Sequence, residues 1–337
     1  MKPIILEKEY TRDTSLIIQM IWFAVHNQMI ATYVPEIHRD GLYGVDHLSE
    51  GVIEVWENQE LLSLLKCGMV EDSFLPSSRL LEIVQHYADM LPVFRRTWVL
   101  PYLGSLQELK TYINDVQQYM EANVIYSYMA LASDCELYLH DLSKKIRAED
   151  TFFSQTDTLI RNTLHHIYPS IAPFGASICI DEIGDVPDIL TLKQRFHSFY
   201  QCSDGQTFLG LSEQFETTFP SLLFVLPEQA DDNYVVGIIA HPGKITGKVV
   251  VVRRVNDISK IQQGDVVISP MTIPSLVSGL KRAGAIVTDE GGLLCHASVI
   301  SRELHIPCII ATQHATHIFN DGDMVEVNAY NGIVRKI

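Results

Sequence analysis

Glycine and proline are absent from two long stretches of this chain, residues 4–34 and 105–168, whereas they punctuate it from Gly237 onward. Each interrupts a helix, glycine through backbone entropy and proline through a lost amide and a ring clash, so tracts free of both are where long helices can form. Apolar spacing agrees: Leu80, Val84, Tyr87, Ala88 and Leu91 keep a helical period, as do Ile113, Val116, Met120, Val124 and Tyr128. The first two thirds is therefore read as an all-helical domain, residues 1–228. Its Tyr, Phe, Met and Trp side chains can line a substrate pocket, although residues of this kind at helical spacing are more often plain core. Arg95, Arg96, His140, His165 and His166 suit an acidic or phosphate-bearing ligand, or else solvated helix ends.

At 337 residues the chain has room for two domains. The boundary falls in Leu226–Gly237, where Pro227-Glu-Gln-Ala-Asp-Asp-Asn reads as an exposed linker. Beyond it, Thr246–Val255, Asp265–Ser269, Ala285–Thr288, Cys308–Ala311 and Met324–Asn328 are short, β-rich and separated by turn residues. Asn331-Gly332 between Val327 and Ile333 is a hairpin signal. Pro274–Arg282, opened by Thr272 and closed by Gly284, predicts a helix. Residues 229–337 thus read as a compact layered α/β domain.

Within that domain Ile286-Val287-Thr288 runs into Asp289-Glu290-Gly291-Gly292, a loop whose backbone can approach a ligand closely. Ala297, Ile300 and Leu304 then repeat at helical spacing up to Pro307. This strand–loop–helix–strand order places His296 in the first helical turn, where unpaired amides and the helix dipole favour an anion. A neutral imidazole there can accept a phosphoryl group; taken alone, the same histidine can equally cap or pack against the helix.

Taken in order, Ala240-His-Pro-Gly-Lys-Ile-Thr-Gly-Lys, Gly264-Asp-Val-Val-Ile-Ser-Pro-Met-Thr-Ile-Pro-Ser, the His296 segment and Asn320-Asp-Gly-Asp-Met-Val-Glu-Val-Asn resemble the swivelling phosphohistidine domain of phosphoenolpyruvate-utilising enzymes. The resemblance covers roughly the last third of the chain and implies a β/β/α swivelling domain in which His296 is phosphorylated. It further implies that Thr272 and Thr288 line the phosphohistidine pocket, that Gly291 and Gly292 are the loop glycines, and that Arg302 and Glu303 are the Arg-Glu pair closing the helix. Plant-type and bacterial dikinases carry Thr-Ser before the histidine. Here Leu294 and Cys295 stand there, which removes regulation through that threonine. Cys295 is read as a small half-buried stand-in for serine rather than a reactive thiol.

No Gly-x-x-x-x-Gly-Lys-Ser/Thr loop is present, Gly243-Lys-Ile-Thr-Gly-Lys having the wrong spacing, and nothing resembles an ATP-grasp half. The order looks like the last two parts of rifampicin phosphotransferase-type enzymes. The resemblance therefore implies a phosphotransferase component: a separate ATP-grasp protein, using ATP and Mg²⁺, loads His296, and the group passes to a small-molecule acceptor in the helical domain. Asp289 and Glu290 are candidates for holding Mg²⁺ during loading, or for capping the turn. The alternatives are a protein-to-protein phosphocarrier and an inactive binding or regulatory module.

A net charge of −16, with no clustered Lys and Arg, excludes a nucleic-acid-binding surface. Six scattered cysteines without a Cys-x-x-Cys pair indicate neither a zinc site nor a disulfide scaffold, and fit a reducing cytoplasm. Thr14–Pro35 carries no charge over a bilayer-spanning length, but Gln19, His26, Asn27 and Gln28 lie inside it. It is read as a buried helix, neither a membrane span nor a signal peptide.

Overall fold

The computed structural model describes residues 4–33, 44–49, 51–58, 77–131, 141, 151–203, 207–220, 222–225, 233–272, 276–292 and 295–337. The chain divides into two compact units, Met1–Glu7 with Thr14–Phe224, and Lys8–Asp13 with Val225–Ile337. Most of the linker expected at Pro227–Asn233 lies outside the described residues, as does His140.

In the first unit the uncharged segment forms the helix Leu16–Tyr33, with Ile17, Ile18, Ile21 and Met29 buried and Gln19 and His26 buried beside them. Among the described residues no helix is long and apolar enough to cross a membrane. The helices Ser77–Trp98, Leu106–Leu131 and Phe152–Ile167 bury the faces that the periodicity marked, Val84, Tyr87 and Leu91 on the first and Ile113, Val116, Met120 and Val124 on the second. These side chains join Phe152, Leu159, Ile160 and Leu164 in one core. The aromatic strip belongs to this core, since Phe94 meets Tyr112, Tyr119 and Phe152 edge to face. Arg95, Arg96, His165 and His166 are exposed in the last turns of their helices, where the two guanidinium charges complement the dipole.

The class is mixed helix and sheet, but the N-terminal part is not helical throughout. Strands β1 (Ile4–Arg12), β2 (Gly44–Ser49), β3 (Val52–Glu57), β4 (Ser198–Ser203), β5 (Thr207–Gly210) and β6 (Leu222–Val225) form a six-stranded sheet in the order β5-β4-β2-β3-β1-β6. Freedom from glycine and proline permits a helix without requiring one, and residues 4–12 use that freedom for an extended strand. The sheet is assembled from segments far apart in sequence, β2 pairing with β4 from Gly44↔Ser203 to Ser49↔Ser198. Local periodicity does not encode such pairings.

The second unit contains β7 (Tyr234–Val236), β8 (Ile238–His241), β9 (Lys244–Val251), β10 (Val266–Ser269), β11 (Ala285–Thr288), β12 (Cys308–Ile310), β13 (Met324–Asn328) and β14 (Ile333–Lys336), in the order β7-β14-β13-β9-β10-β11-β12-β8. Strands β9, β10, β11 and β12 run parallel, and the rest are antiparallel. β9 serves two layers: Lys244–Lys248 pairs with β13, and Val249–Val251 pairs with β10. Alternation along the strands sorts the core. Val249, Val251, Val266, Ile268, Ala285 and Val287 face Val325, Val327 and Val334 of the antiparallel layer. Val250, Val267, Ile286, Cys308 and Ile310 face the helical layer through Leu276, Leu280, Ala297 and Ile300. Burial on both faces explains why these strands read as continuous Val/Ile runs. This is the layered β/β/α arrangement, and of the helix expected at Pro274–Arg282 the described part is Val277–Leu280. At the expected hairpin Gly332 adopts φ +73°, and its carbonyl accepts a hydrogen bond from Gly237 N at 2.9 Å.

Candidate active site at the start of the helix His296–Leu304

Parallel strands expose their carboxyl ends on one side of a sheet, where loops can gather a ligand. Here β10 and β11 end together, Ser269 opposite Thr288. Two amides stitch the exits: Asp289 N donates to Ser269 O at 3.1 Å and Glu290 N to Pro270 O at 2.9 Å. Thr272 follows β10, and the loop after β11 leads to His296, so the threonines, glycines and histidine singled out in the sequence occupy neighbouring strand ends.

The loop turns through Gly291, whose φ of +125° is open to glycine alone. A Cβ there would also stand 2.9 Å from Cys295 Sγ. Gly292 O then accepts from Cys295 N at 2.8 Å and from Ser298 Oγ at 3.0 Å, fixing the entry to the helix His296–Leu304. Cys295 is the N-cap but supplies no side-chain cap; its Sγ lies 3.4 Å from Ser298 Oγ. The first-turn amides of this nine-residue helix accordingly have no acceptor within the helix.

His296 is half-buried. Desolvation lowers its pKa below the ordinary imidazole value, and the negative charge of Glu303, two turns along the same face, opposes this in part. Among the described residues its Nδ1 is buried without a hydrogen-bond partner, and so is Thr272 Oγ1. Buried polar atoms left unmatched cost stability, and both of these lie on the loops that follow β10 and β11, where a ligand can match them.

Thr288 is wholly buried and works on the backbone: its Oγ1 donates to Glu290 O at 2.6 Å, and its carbonyl accepts from Thr312 N and Thr312 Oγ1, each at 3.0 Å. Arg302 and Glu303 lie exposed in the last turn. Asp289 and Glu290 do not fit as Mg²⁺ ligands. Asp289 is buried and accepts from Thr316 N at 3.0 Å and from Thr316 Oγ1, and burial pushes its carboxyl up to about 6. Glu290 accepts from Thr11 N at 2.8 Å and Arg12 Nη1 at 2.6 Å, both inside the second unit. Both carboxylates are thus committed to holding the loop, the turn-capping alternative. No group of three or more His, Cys, Asp or Glu arranged for a metal occurs among the described residues. The sequence did not mark Ser298, Thr312 or Thr316. The one available signal was a buried-face hydroxyl at Ser298, between Ala297 and Ile300.

Residues 261–332 match the family described as PEP-utilising enzyme, mobile domain. This stretch is similar to the mobile domains of that family. It is 47% identical over 98 residues to a probable phosphoenolpyruvate synthase of Archaeoglobus fulgidus, covering 29% of this chain and 13% of that protein. The phosphoenolpyruvate synthase of Pyrococcus furiosus is 37% identical over 139 residues, 41% of this chain and 17% of that protein. An uncharacterized phosphotransferase of Bacillus subtilis, YvkC, is 35% identical over 143 residues, 42% of this chain and 17% of that protein. The matched mobile domain and its flanks thus span less than a fifth of the length of these relatives.

Proposed function

We propose that this chain is a phosphotransferase component in which His296 carries a phosphoryl group from an ATP-derived donor to a small-molecule acceptor held by the first unit. The observation that carries the reading is the unmatched, buried state of His296 Nδ1 and Thr272 Oγ1, the histidine standing at a helix start that no side chain caps. Nδ1 is enclosed, which leaves Nε2 to attack phosphorus. Reduced basicity keeps the ring neutral and its lone pair available at neutral pH. In the attack an Nε2–P bond forms as the bond from phosphorus to the donor's leaving oxygen breaks, and the amides of the first turn stabilise the charge on the phosphoryl oxygens. In this reading Thr272 Oγ1, buried without a partner, orients the ring or its phosphate. The nucleotide and Mg²⁺ would be held by a separate ATP-grasp protein, in keeping with an Asp289–Glu290 pair already engaged elsewhere; delivery to the acceptor requires a dry, aligned site, which a mobile domain can provide.

The test is chemical phosphorylation of the full chain with phosphoramidate. Acid-labile phosphate should appear on the His296 peptide and be absent in His296→Ala. The pH–rate profile of labelling should have its acidic limb below the ordinary imidazole value, because protonation removes the attacking lone pair only there. Equal labelling of the variant, or no histidine labelling at all, overturns the proposal.

A further inference from the structure

A second constellation lies in the first unit, on the six-stranded sheet. His47 on β2 is paired directly with Glu54 on β3 and with Tyr200 on β4. Ser198 precedes Tyr200 by two residues, so all four side chains emerge on one face. His47 Nε2 stands 3.1 Å from Ser198 Oγ, and His47 Nδ1 stands 3.7 Å from Glu54 Oε2. The imidazole plane is held against the Tyr200 ring, with centroids 4.2 Å apart and planes 3° from parallel. Neither the histidine nor the glutamate is sealed off, their side chains being 19% and 20% exposed.

We propose that Ser198, His47 and Glu54 form a nucleophile, base and orienting acid that hydrolyse aryl esters. The arrangement has the roles of a serine hydrolase triad: a hydroxyl within hydrogen-bond reach of one ring nitrogen, and a carboxylate on the side of the other. At 3.7 Å the carboxylate stands outside hydrogen-bond distance, and contacts of this kind tighten when a ligand binds. The substrate class follows from the neighbours. Tyr200 is sandwiched between His47 and Phe215, each 4.2 Å away, and lies 6.3 Å from Phe224, which packs on buried Trp56 and is itself 38% exposed. The exposed Phe224 ring is the surface that takes an aromatic group, and a phenolate, whose conjugate acid has a pKa of about 10, departs with little assistance. In the first step Ser198 Oγ bonds to the acyl carbon and gives its proton to His47 Nε2; the bond from that carbon to the aryl oxygen breaks, and the phenolate takes the proton from His47. Water then attacks the Ser198 ester by the same route, releasing a carboxylic acid and restoring the hydroxyl. Glu54 is a positioning residue that acts through His47.

The site is independent of His296 chemistry and is tested separately, with the full chain, a fluorophosphonate probe and p-nitrophenyl acetate. The probe should modify Ser198, and Ser198→Ala should abolish both labelling and turnover. His47→Gln, which can still hydrogen-bond to Ser198, should slow both by roughly a hundredfold or more. Glu54→Gln should lower kcat with KM unchanged, and Glu54→Asp should restore part of it. If a variant fails to fold by circular dichroism, the mass-mapped adduct on the unmodified protein decides. Adducts confined to other residues, turnover surviving in folded Ser198→Ala, or full rates in folded His47→Gln overturn the proposal.

Discussion

Asp289 shows how a single residue can read as chemistry in sequence and turn out to be architecture. A carboxylate beside a glycine pair suits a metal, yet its oxygens are taken by Thr316, and burial raises its pKa to about 6 against an ordinary 3.8. In that interval the folded chain holds a proton that the unfolded chain has released. This group's contribution to stability is therefore complete below about pH 4 and is lost as pH rises through about 6. A shift of this size corresponds to a few kcal/mol, on the order of 2–3, between the two ends of the window. Asp289→Asn, which keeps an acceptor for Thr316 N and carries no charge, should flatten the pH dependence of the urea midpoint between pH 4 and 6 and leave the second unit more stable at pH 7. An unchanged slope in the variant would show that Asp289 is ionised throughout.

At the scale of elements, legibility followed locality. The run Ala285–Thr288, the turn at Gly291, the helix beginning at His296 and the strand Met324–Asn328 each rest on residues within a few positions of one another, and their sequence bounds coincide with the observed ones to within a residue. The sheet of the first unit depends on β4 meeting β2 across some 150 residues of chain, and nothing local in Ser198–Ser203 announces its partner. The same contrast holds at the site. His296 and its glycines were visible, whereas Thr312, on a later loop, and Thr316, in the short helix Ala315–Ile318, reach Asp289 and had no marker in sequence. The Asn331-Gly332 hairpin yields a local test of the antiparallel layer. Gly332 has φ +73°, and a Cβ on it would stand 2.5 Å from Gly237 O, a backbone atom that cannot swing away. Gly332→Ala should destabilise the second unit by at least about 2 kcal/mol. Tyr330→Ala, at a 70% exposed position of the same turn, should cost far less if a calorimetric scan compares the two; a smaller loss at Gly332 would mean that the turn can rearrange.

At the scale of the whole molecule the dominant fact is a net charge of −16. A phosphoryl donor is itself an anion, so the field of the protein opposes its arrival at His296, while the amides at the helix start attract it only within the first turn. The two effects differ in range and are therefore separable by salt. The Debye length falls from about 30 Å at 0.01 M to about 8 Å at 0.15 M ionic strength, which screens the distant carboxylates and leaves contacts of a few ångströms largely intact. Phosphorylation of His296 by phosphoramidate should accelerate by roughly a few-fold between those two conditions. Acylation of the same ring by diethyl pyrocarbonate, an uncharged electrophile, should not change. A phosphoramidate rate that falls with added salt would mean that a local positive potential recruits the anion despite the net charge. A salt-accelerated rate would instead favour the proposed delivery by a partner protein over capture of a free donor: a phosphate held at the site by a docked protein does not have to cross the repulsive field as a free ion.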